Sequence, residues 1–153
     1  MAVSSAQTDL PVLTTAGRRN VQQRLDRALE ALARLAQRMS AGERSPDEFA
    51  EHQRLLDQVD QLTAVLARAA DVGDIDEDPT IVEVGDEVDI EIAGGVDTYA
   101  LVHPVEANAS EGRISVVSPL GRALLGARPG ASVRVHAPAG DYTFTLLERR
   151  RLA

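Results

Sequence analysis

The apolar residues of the first half of the chain recur at alternating intervals of four and three. Two such series follow one another, made up of Val21, Leu25, Ala28, Leu32, Leu35 and Met39, then Leu55, Val59, Leu62, Leu66 and Ala69. This spacing is typical of a coiled coil, in which each helix turns one narrow apolar stripe towards its partner. The pattern therefore predicts two helices between residues 18 and 70.

The segment between the two series carries signals that end one helix and begin another. A helix-ending glycine, a preferred N-cap serine and a proline suited to the first helical position are found at Gly42, Ser45 and Pro46. Asp47 and Glu48 follow, where the helix dipole favours carboxylates. The sequence therefore predicts an antiparallel hairpin that turns near residues 41–46. Each arm would be about 35 Å long, at about 1.5 Å of rise per residue.

Beyond the second series the apolar period changes to two, which is the spacing of half-buried strands. The predicted strands are residues 88–92, 98–102, 113–117, 132–137 and 142–147. Turn signals stand at Gly94-Gly95 and at Ala139-Gly140-Asp141. This half of the chain is predicted to form a small antiparallel sheet.

One short helix is predicted to interrupt the strands and lie across the sheet. Ser118 is a natural N-cap, Pro119 suits the first helical position and Gly126 marks the end. With the hairpin before it, the sheet and this helix predict an α+β fold.

The acidic residues are concentrated in one part of the chain. The whole chain has a net charge of −8, which argues against general DNA binding. Between Asp71 and Asp97 there are eleven acidic residues and no basic one, so the rest of the chain is net positive. Blocks of this kind are usually solvated surface or linker. We therefore expect residues 71–80 to form an acidic linker.

Composition excludes several classes of protein. The chain has no cysteine, which excludes disulfides and thiolate metal sites and suits the cytoplasm. No apolar run is long enough to span a membrane. Residues 1–12 lack periodicity and are expected to be a disordered tail. The three histidines show no ligand spacing, and no nucleophile elbow or phosphate loop is found, so we expect neither an enzyme nor a cofactor of its own.

One segment resembles the hallmark of the C-terminal domain of Gre transcript-cleavage factors. It reads Ile114-Ser115-Val116-Val117-Ser118-Pro119-Leu120-Gly121-Arg122-Ala123-Leu124-Leu125-Gly126. The likeness continues through Gly130, Val133, Val135 and Pro138-Ala139-Gly140, and upstream Leu13-Thr14-Thr15-Ala16-Gly17 resembles the family's opening. The resemblance implies a coiled-coil hairpin over residues 13–70 and an FKBP-like domain over residues 81–153.

The resemblance also implies a function and a partner. Gre-like factors dock their C-terminal domain at the rim of the secondary channel of RNA polymerase, here through Ser118, Pro119 and Arg122. Their coil tip enters the channel, where carboxylates help to hold a second Mg²⁺ of the polymerase for hydrolysis of backtracked RNA. The carboxylates expected in this role at the tip of this chain are Glu43, Asp47 and Glu48. A cytoplasmic monomer is expected, with no metal held by this chain alone and indirect contact with nascent RNA.

The tip departs from the family pattern. Glu48, Ala50 and Glu51 match it, but Phe49 and His52 replace an Asn and a Tyr, and about two extra residues precede them. In the docking segment, Val117 stands where relatives commonly have a polar or acidic residue. Helix capping alone also accounts for Asp47, Glu48 and the Ser118-Pro119 pair.

Three other functions compete with stimulated cleavage. The first is a relative that occupies the channel without cleavage and inhibits the polymerase. The second is an interaction module like the nucleoside diphosphate kinase regulators, which Leu101-Val102-His103-Pro104 resembles. The third, a prolyl isomerase suggested by the FKBP-like fold, needs an aromatic-lined pocket, whereas aromatic residues make up 3% of this chain.

Overall fold

The chain is described by a computed structural model that covers residues 11–42, 45–74 and 78–152. These residues form two compact units. Residues 16–69 make one, here called the hairpin unit, and residues 11–15 together with 70–152 make the other, here called the β unit. The predicted tail lies outside the described residues, apart from its last two.

The hairpin unit consists of two long helices. Helix α1 is Thr15–Ala41 and helix α2 is Pro46–Arg68, so neither helix continues through Gly42. The Arg18 guanidinium donates a hydrogen bond of 3.0 Å to the carbonyl of Ala69, which joins the start of α1 to the end of α2. The helices are therefore antiparallel, and the predicted hairpin is confirmed.

The predicted apolar stripes are the buried sides of these helices. In α1 the buried members of the series are Val21, Leu25, Ala28 and Leu35, and in α2 the buried member is Leu62. Other members, such as Leu32 and Val59, are half-buried. Burial of a leucine or valine stabilises a fold by about 1.5–3 kcal/mol, so this stripe is the main force that holds the unit together.

The β unit is built on a five-stranded sheet with strand order β5-β4-β3-β7-β6. Its strands are β3 (Asp86–Ile92), β4 (Gly95–Val102), β5 (Arg113–Ser115), β6 (Ser132–Val135) and β7 (Tyr142–Arg151). All neighbours pair antiparallel except β4 and β5, which are parallel. The α+β prediction is confirmed, whereas the purely antiparallel sheet was wrong. The cause is the segment between β4 and β5. It carries the chain back towards the start of β4, so that β5 runs in the same direction as β4.

Apolar side chains from the sheet and from helix α3 (Pro119–Leu124) form the core of the β unit. Its fully buried members are Val82, Val88, Ile90, Leu101, Leu124, Val135, Phe144 and Leu146. Leu124 is the residue through which α3 enters this core. Along β3, the charged residues Glu87, Asp89 and Glu91 alternate with the core residues Val88 and Ile90, as the period of two predicts.

The turn between β3 and β4 lies one residue earlier than predicted. Ile92 pairs with Gly95, which leaves Ala93 and Gly94 as a two-residue loop with φ angles of +52° and +83°. Two positive φ values in such a loop match the twist of the flanking strands. The pairing places Gly95 inside β4, so Ala93 takes a left-handed conformation that glycine would adopt without strain.

The acidic segment is paired with the arginines at the end of the chain. The Arg149 guanidinium binds both carboxylate oxygens of Asp86, each at 3.0 Å, and the two side chains are 6% and 0% exposed. Arg151 binds Glu83 at 3.0 Å. The expectation of a solvated acidic block was therefore wrong for this part of it. The strands β3 and β7 pair antiparallel, so the acids of one meet the arginines of the other.

A second cluster on the same strand pair is exposed to solvent. Arg150 binds Glu87 at 2.8 Å and Asp89 at 2.9 Å. The hydrogen bonds from Arg150 and Thr98 lower the pKa of Asp89 to about 2. Because this pKa is depressed, the contribution of Asp89 to stability is fully present above the ordinary value of 3.8 and is lost as pH falls from there through about 2.

The chain segments next to the hairpin belong to the β unit. Strand β1 (Val12–Leu13) pairs in parallel with β2 (Ala70–Asp71), and a short 3₁₀ helix, Val72–Asp74, follows β2. The side chains of Leu13 and Val72 are 0% and 1% exposed. The predicted boundaries at residues 13–70 and 71–80 therefore differ from the observed division. Burial of these two apolar side chains draws both segments into the β unit.

The buried ion pair generates the first testable prediction. Replacing Asp86 by Asn leaves the Arg149 guanidinium in the protein interior without its carboxylate, which is expected to lower the free energy of unfolding by about 3–5 kcal/mol. Urea unfolding followed by circular dichroism measures this change. The matched control is Asp89→Asn in the exposed cluster, for which a much smaller loss is expected. Equal losses in the two variants would contradict the assignment.

Candidate functional site

Helix α3 begins with a complete serine cap. The Ser118 hydroxyl accepts a hydrogen bond of 3.1 Å from the Gly121 amide and donates one of 2.6 Å to the Ser115 carbonyl. Pro119 occupies the first helical position, and Gly126 follows the helix with a φ of +80°. The predicted short helix is confirmed, and Ser118 has the capping role that the sequence indicated.

Gly121 allows α3 to lie directly against the end of β5. A Cβ atom at this position would collide with the carbonyl oxygen of Ser115 and would approach the Cα atom of Val116. These are backbone atoms, which cannot swing aside as a flexible side chain could. The glycine of the Ser-Pro-Leu-Gly segment is therefore required for packing. Sequence reasoning missed this requirement, because the close approach depends on the tertiary fold.

The outer surface of α3 is exposed and partly apolar. Pro119 and Arg122, for which the resemblance implies a docking role, are exposed. The exposed fractions of Val117 and Leu125, which flank the helix at its two ends, are 56% and 45%. Exposed apolar residues grouped in this way are typical of interaction surfaces. The sequence indicated Val117 as unusual but did not indicate Leu125.

The segment that includes α3 is basic. From Gly112 to Gly140 there are four arginines and no acidic residue, the arginines being Arg113, Arg122, Arg128 and Arg134. Arg122 is the one that belongs to α3 itself. We name the exposed residues Val117, Pro119, Arg122 and Leu125 the α3 surface. Its chemistry is that of a small apolar patch with one exposed guanidinium.

At the other candidate position, α2 begins with a capping box. The Glu48 amide donates to the Ser45 hydroxyl at 3.2 Å, and the Ser45 amide donates to the Glu48 carboxylate at 3.3 Å. Asp47 is exposed in the same first turn. Glu43 lies outside the described residues. The structure therefore brings Asp47 and Glu48 together and shows that Glu48 caps the helix.

Next to these carboxylates, Phe49 is 58% exposed. It is one of two phenylalanines in the chain, and the other, Phe144, is in the core of the β unit. Phe49 is offset from the buried stripe of α2, which explains why the helix pairing does not cover it. The first turn of α2 thus presents a carboxylate and an aromatic ring to solvent.

Two of the three histidines have local partners. The Nδ1 atom of His103 accepts a hydrogen bond of 3.1 Å from the Val105 amide, and burial lowers the pKa of His103. His136 lies 3.1 Å from Asp141 on the surface. Among the described residues, no group of three or more His, Asp or Glu side chains could hold a metal ion. Over the same residues, no helix is long and apolar enough to cross a membrane.

The described residues thus form an α+β protein that has a helical hairpin with a capped acidic start to its second helix and a β unit with a short serine-capped helix. Residues 77–150 match the family model of the C-terminal domain of the transcription elongation factors GreA and GreB. The chain is 33% identical to the transcription elongation factor GreA of Roseiflexus sp. (strain RS-1), over 93% of this chain and 88% of that one. The chain therefore belongs to the GreA/GreB family of transcription elongation factors.

The chain is also similar to two further proteins. The transcription elongation factor GreA of Thermomicrobium roseum is 47% identical over 73 residues, which is 48% of this chain and 47% of that one. The crystal structure of GreA factor homolog 1 (Gfh1) of Thermus thermophilus is 28% identical, with a TM-score of 0.42 over 92% of this chain and 99% of that one.

The packing of α3 generates the second prediction. In Gly121→Ala, the new methyl group collides with the backbone at Ser115, so β5 and α3 must separate. The expected loss is about 3 kcal/mol in the free energy of unfolding, at the upper end of overpacking costs. The control is Gly73→Ala, whose methyl group meets no described atom within 4 Å. A change within about 0.5 kcal/mol is expected there. Urea denaturation of both variants checks the difference.

Proposed function

We propose that this protein binds RNA polymerase through the α3 surface and acts on transcript elongation through the acidic end of its hairpin. The observation that carries the proposal is the exposure of Pro119 and Arg122 on a capped helix inside the segment that matches the GreA/GreB family model. The match of the whole chain to GreA relatives also favours this function over that of a separate interaction module.

The α3 surface suits a docking role on physical grounds. The helix is anchored from below by Leu124 and Gly121, so its exposed residues are held in place before any partner binds. A preorganised surface loses little conformational entropy on binding. Arginine is also the residue type most able to form paired hydrogen bonds with a partner's carboxylate. The partner surface is accordingly an apolar one with an acidic group opposite Arg122.

The end of the hairpin supplies carboxylates. We propose that Glu43, Asp47 and Glu48 lie near the catalytic Mg²⁺ of the polymerase in the complex, where oxygen ligands or their negative charge influence the metal. In the unbound chain Glu48 is engaged in the capping box, and Asp47 is exposed. Of the two carboxylates that the structure describes, Asp47 is therefore the one that can reach outward without disturbing the helix start.

Modulation without cleavage is a second candidate, favoured by two observations. The Glu48 carboxylate already accepts a hydrogen bond from Ser45, and Phe49 presents an exposed aromatic ring where the family pattern has a polar amide. Magnesium demands near-octahedral oxygen ligation, so loss of one oxygen donor weakens a metal role. Occupation of the channel by the hairpin would then alter elongation through exclusion and charge alone.

Docking generates the third prediction. Replacing Arg122 by Ala in the full-length chain removes the guanidinium of the α3 surface and is expected to weaken polymerase binding about tenfold, the effect of losing about 1.4 kcal/mol. Arg134→Ala is the matched control, because it removes one arginine from the same basic segment, where the side chain is 67% exposed on β6. Biolayer interferometry with immobilised polymerase compares the two. Equal affinities in both variants would show that α3 is not the docking site.

The tip carboxylates generate the fourth prediction. In the triple variant Glu43→Gln, Asp47→Asn, Glu48→Gln, the negative charges are removed while the amide oxygen at position 48 can still accept the Ser45 hydrogen bond. Helicity and polymerase binding should stay unchanged. RNA release from backtracked complexes, or inhibition of elongating complexes, should fall at least about tenfold.

The control for the tip variant removes the same number of charges elsewhere on the hairpin. Glu30→Gln, Asp57→Asn and Asp60→Asn are exposed on α1 and α2 and should leave both transcription assays at the level of the unsubstituted protein. Loss of release from backtracked complexes identifies a cleavage factor, and loss of inhibition alone identifies a modulator. If the tip variant behaves like the unsubstituted protein in both assays, the carboxylates serve only as helix caps.

A further inference from the structure

The arginines of the β unit fall into two groups according to their partners. Five of the seven form ion pairs with acidic residues of this chain, namely Arg113 with Glu111, Arg134 with Asp141, Arg149 with Asp86, Arg150 with Glu87 and Arg151 with Glu83. Within the part of the chain that the structure describes, the guanidiniums of Arg122 and Arg128 form neither an ion pair nor a hydrogen bond. These two guanidiniums therefore keep their donors for a partner molecule.

Arg128 lies on a loop whose backbone is held in place. The Gly126 amide donates a hydrogen bond of 2.8 Å to the Val82 carbonyl, and the Val82 amide donates one of 2.9 Å to the Ala127 carbonyl. The Ala131 amide donates to the carbonyl of Arg128 itself at 3.0 Å, whereas the Arg128 side chain is exposed. Because its backbone is fixed before binding, Arg128 can contact a partner at a low cost in entropy.

An exposed apolar side chain lies between the two arginines in the sequence. Leu125, which is 45% exposed, comes three positions after Arg122 and three before Arg128. Residues three apart are neighbours on a helix, and three residues of chain span at most about 11 Å. Protein interfaces are enriched in arginine and have apolar centres. Arg122, Leu125 and Arg128 are thus close enough for one partner surface to contact all three.

An acidic residue near Arg128 is engaged by other groups. The Asp78 carboxylate accepts hydrogen bonds from the Thr80 amide at 2.9 Å and from the Thr80 hydroxyl at 2.6 Å. These hydrogen bonds, and to a smaller extent the positive charge of Arg128, lower the pKa of Asp78. Asp78 is therefore ionised at neutral pH but forms no ion pair with Arg128. A partner's carboxylate can pair with Arg128 without breaking a contact of the Asp78 carboxylate.

The chemistry around the two arginines fits an acidic protein surface. A nucleic acid is bound by a positive surface that follows its phosphates, whereas this chain has a net charge of −8. Asp78 also places negative charge near Arg128. The exposed Leu125 suits an apolar side chain, which a phosphate backbone does not offer. The partner that fits is thus a protein surface with carboxylates on either side of an apolar residue.

We propose that Arg128 is a second docking residue for RNA polymerase, and that the polymerase surface presents two separate acidic groups, one opposite Arg122 and one opposite Arg128. This inference rests on the proposed function. Arginine pairs with a carboxylate through two parallel hydrogen bonds, which fix orientation and add affinity. Two such pairs at separate points prevent rotation about a single contact. Arg128 is therefore a residue that determines which partner surface is accepted.

The test measures the affinity of full-length variants for immobilised polymerase by biolayer interferometry. Arg128→Ala should weaken binding about fivefold, and Arg128→Glu at least about 20-fold, because it brings like charges together. The variant that combines Arg122→Ala with Arg128→Ala should lose about 50-fold, the product of about tenfold and about fivefold for separate contacts. The loss in Arg128→Ala should shrink as sodium chloride is raised from about 0.1 M to about 1 M, since salt screens the ion pair.

Two controls separate docking from folding and from charge in general. Arg134→Ala removes one positive charge from an arginine that is already paired, and should change polymerase affinity less than about twofold. The urea midpoint of Arg128→Ala should match that of the unsubstituted protein, because no described residue is bonded to the Arg128 side chain.

Contrary results distinguish the inference from the proposed function. If Arg122→Ala weakens binding and both Arg128 variants do not, the inference is overturned and the proposed function stands. If the double variant loses no more affinity than Arg122→Ala alone, the two arginines share one acidic group and the inference is overturned. It is also overturned if Arg128→Ala abolishes binding to a labelled single-stranded RNA but leaves polymerase affinity intact. If the unsubstituted chain fails to bind polymerase at all, the proposed function itself is overturned.

Discussion

The pairing of β3 with β7 holds the two halves of the sheet together, since these strands are the junction in the order β5-β4-β3-β7-β6. The buried pair between Asp86 and Arg149 secures its register. A slip by one residue would move Asp86 away from the guanidinium and turn Val88 to the opposite face of the sheet. Both changes are costly, because the first leaves a buried charge without its partner and the second exposes a core side chain to solvent. The same strand end carries Arg151, whose guanidinium donates a hydrogen bond to the Val72 carbonyl.

Side-chain oxygens begin all three described α-helices, but they come from different distances along the chain. Ser118 caps α3 from the adjacent position, and Ser45 caps α2 with the help of Glu48 in its first turn. At α1, the carboxylate of Glu106, which lies in another part of the β unit, accepts hydrogen bonds from Thr14. The first two arrangements form wherever the local segment is helical. The third forms only when the β unit has folded, so the start of α1 depends on tertiary structure in a way that the other two helices do not.

This difference explains which features the sequence could predict. The heptad stripes, the end of α1 before Gly42 and the caps at Ser45 and Ser118 are local patterns, and the structure confirms them. The arginine partners of the acidic segment lie about sixty positions away, with separations such as the 63 between Asp86 and Arg149. No local pattern links such residues, so the segment was interpreted as solvated. Glu106 was missed for the same reason, and the parallel pairing of β5 depends on a return of the chain that period alone does not show.

The α3 surface and the start of α2 differ in whether the residues proposed for function also stabilise the fold. At α3, the residues that hold the helix on the β unit are Ser118, Gly121 and Leu124. Pro119 and Arg122 are exposed and do not take part in this packing. Docking residues there can change without loss of the helix. At the start of α2, the Glu48 carboxylate serves the capping box that keeps the turn intact. Any metal-directed role for Glu48 must therefore compete with its hydrogen bond to Ser45, whereas Asp47, the other described carboxylate of this turn, can respond to a metal without weakening the helix.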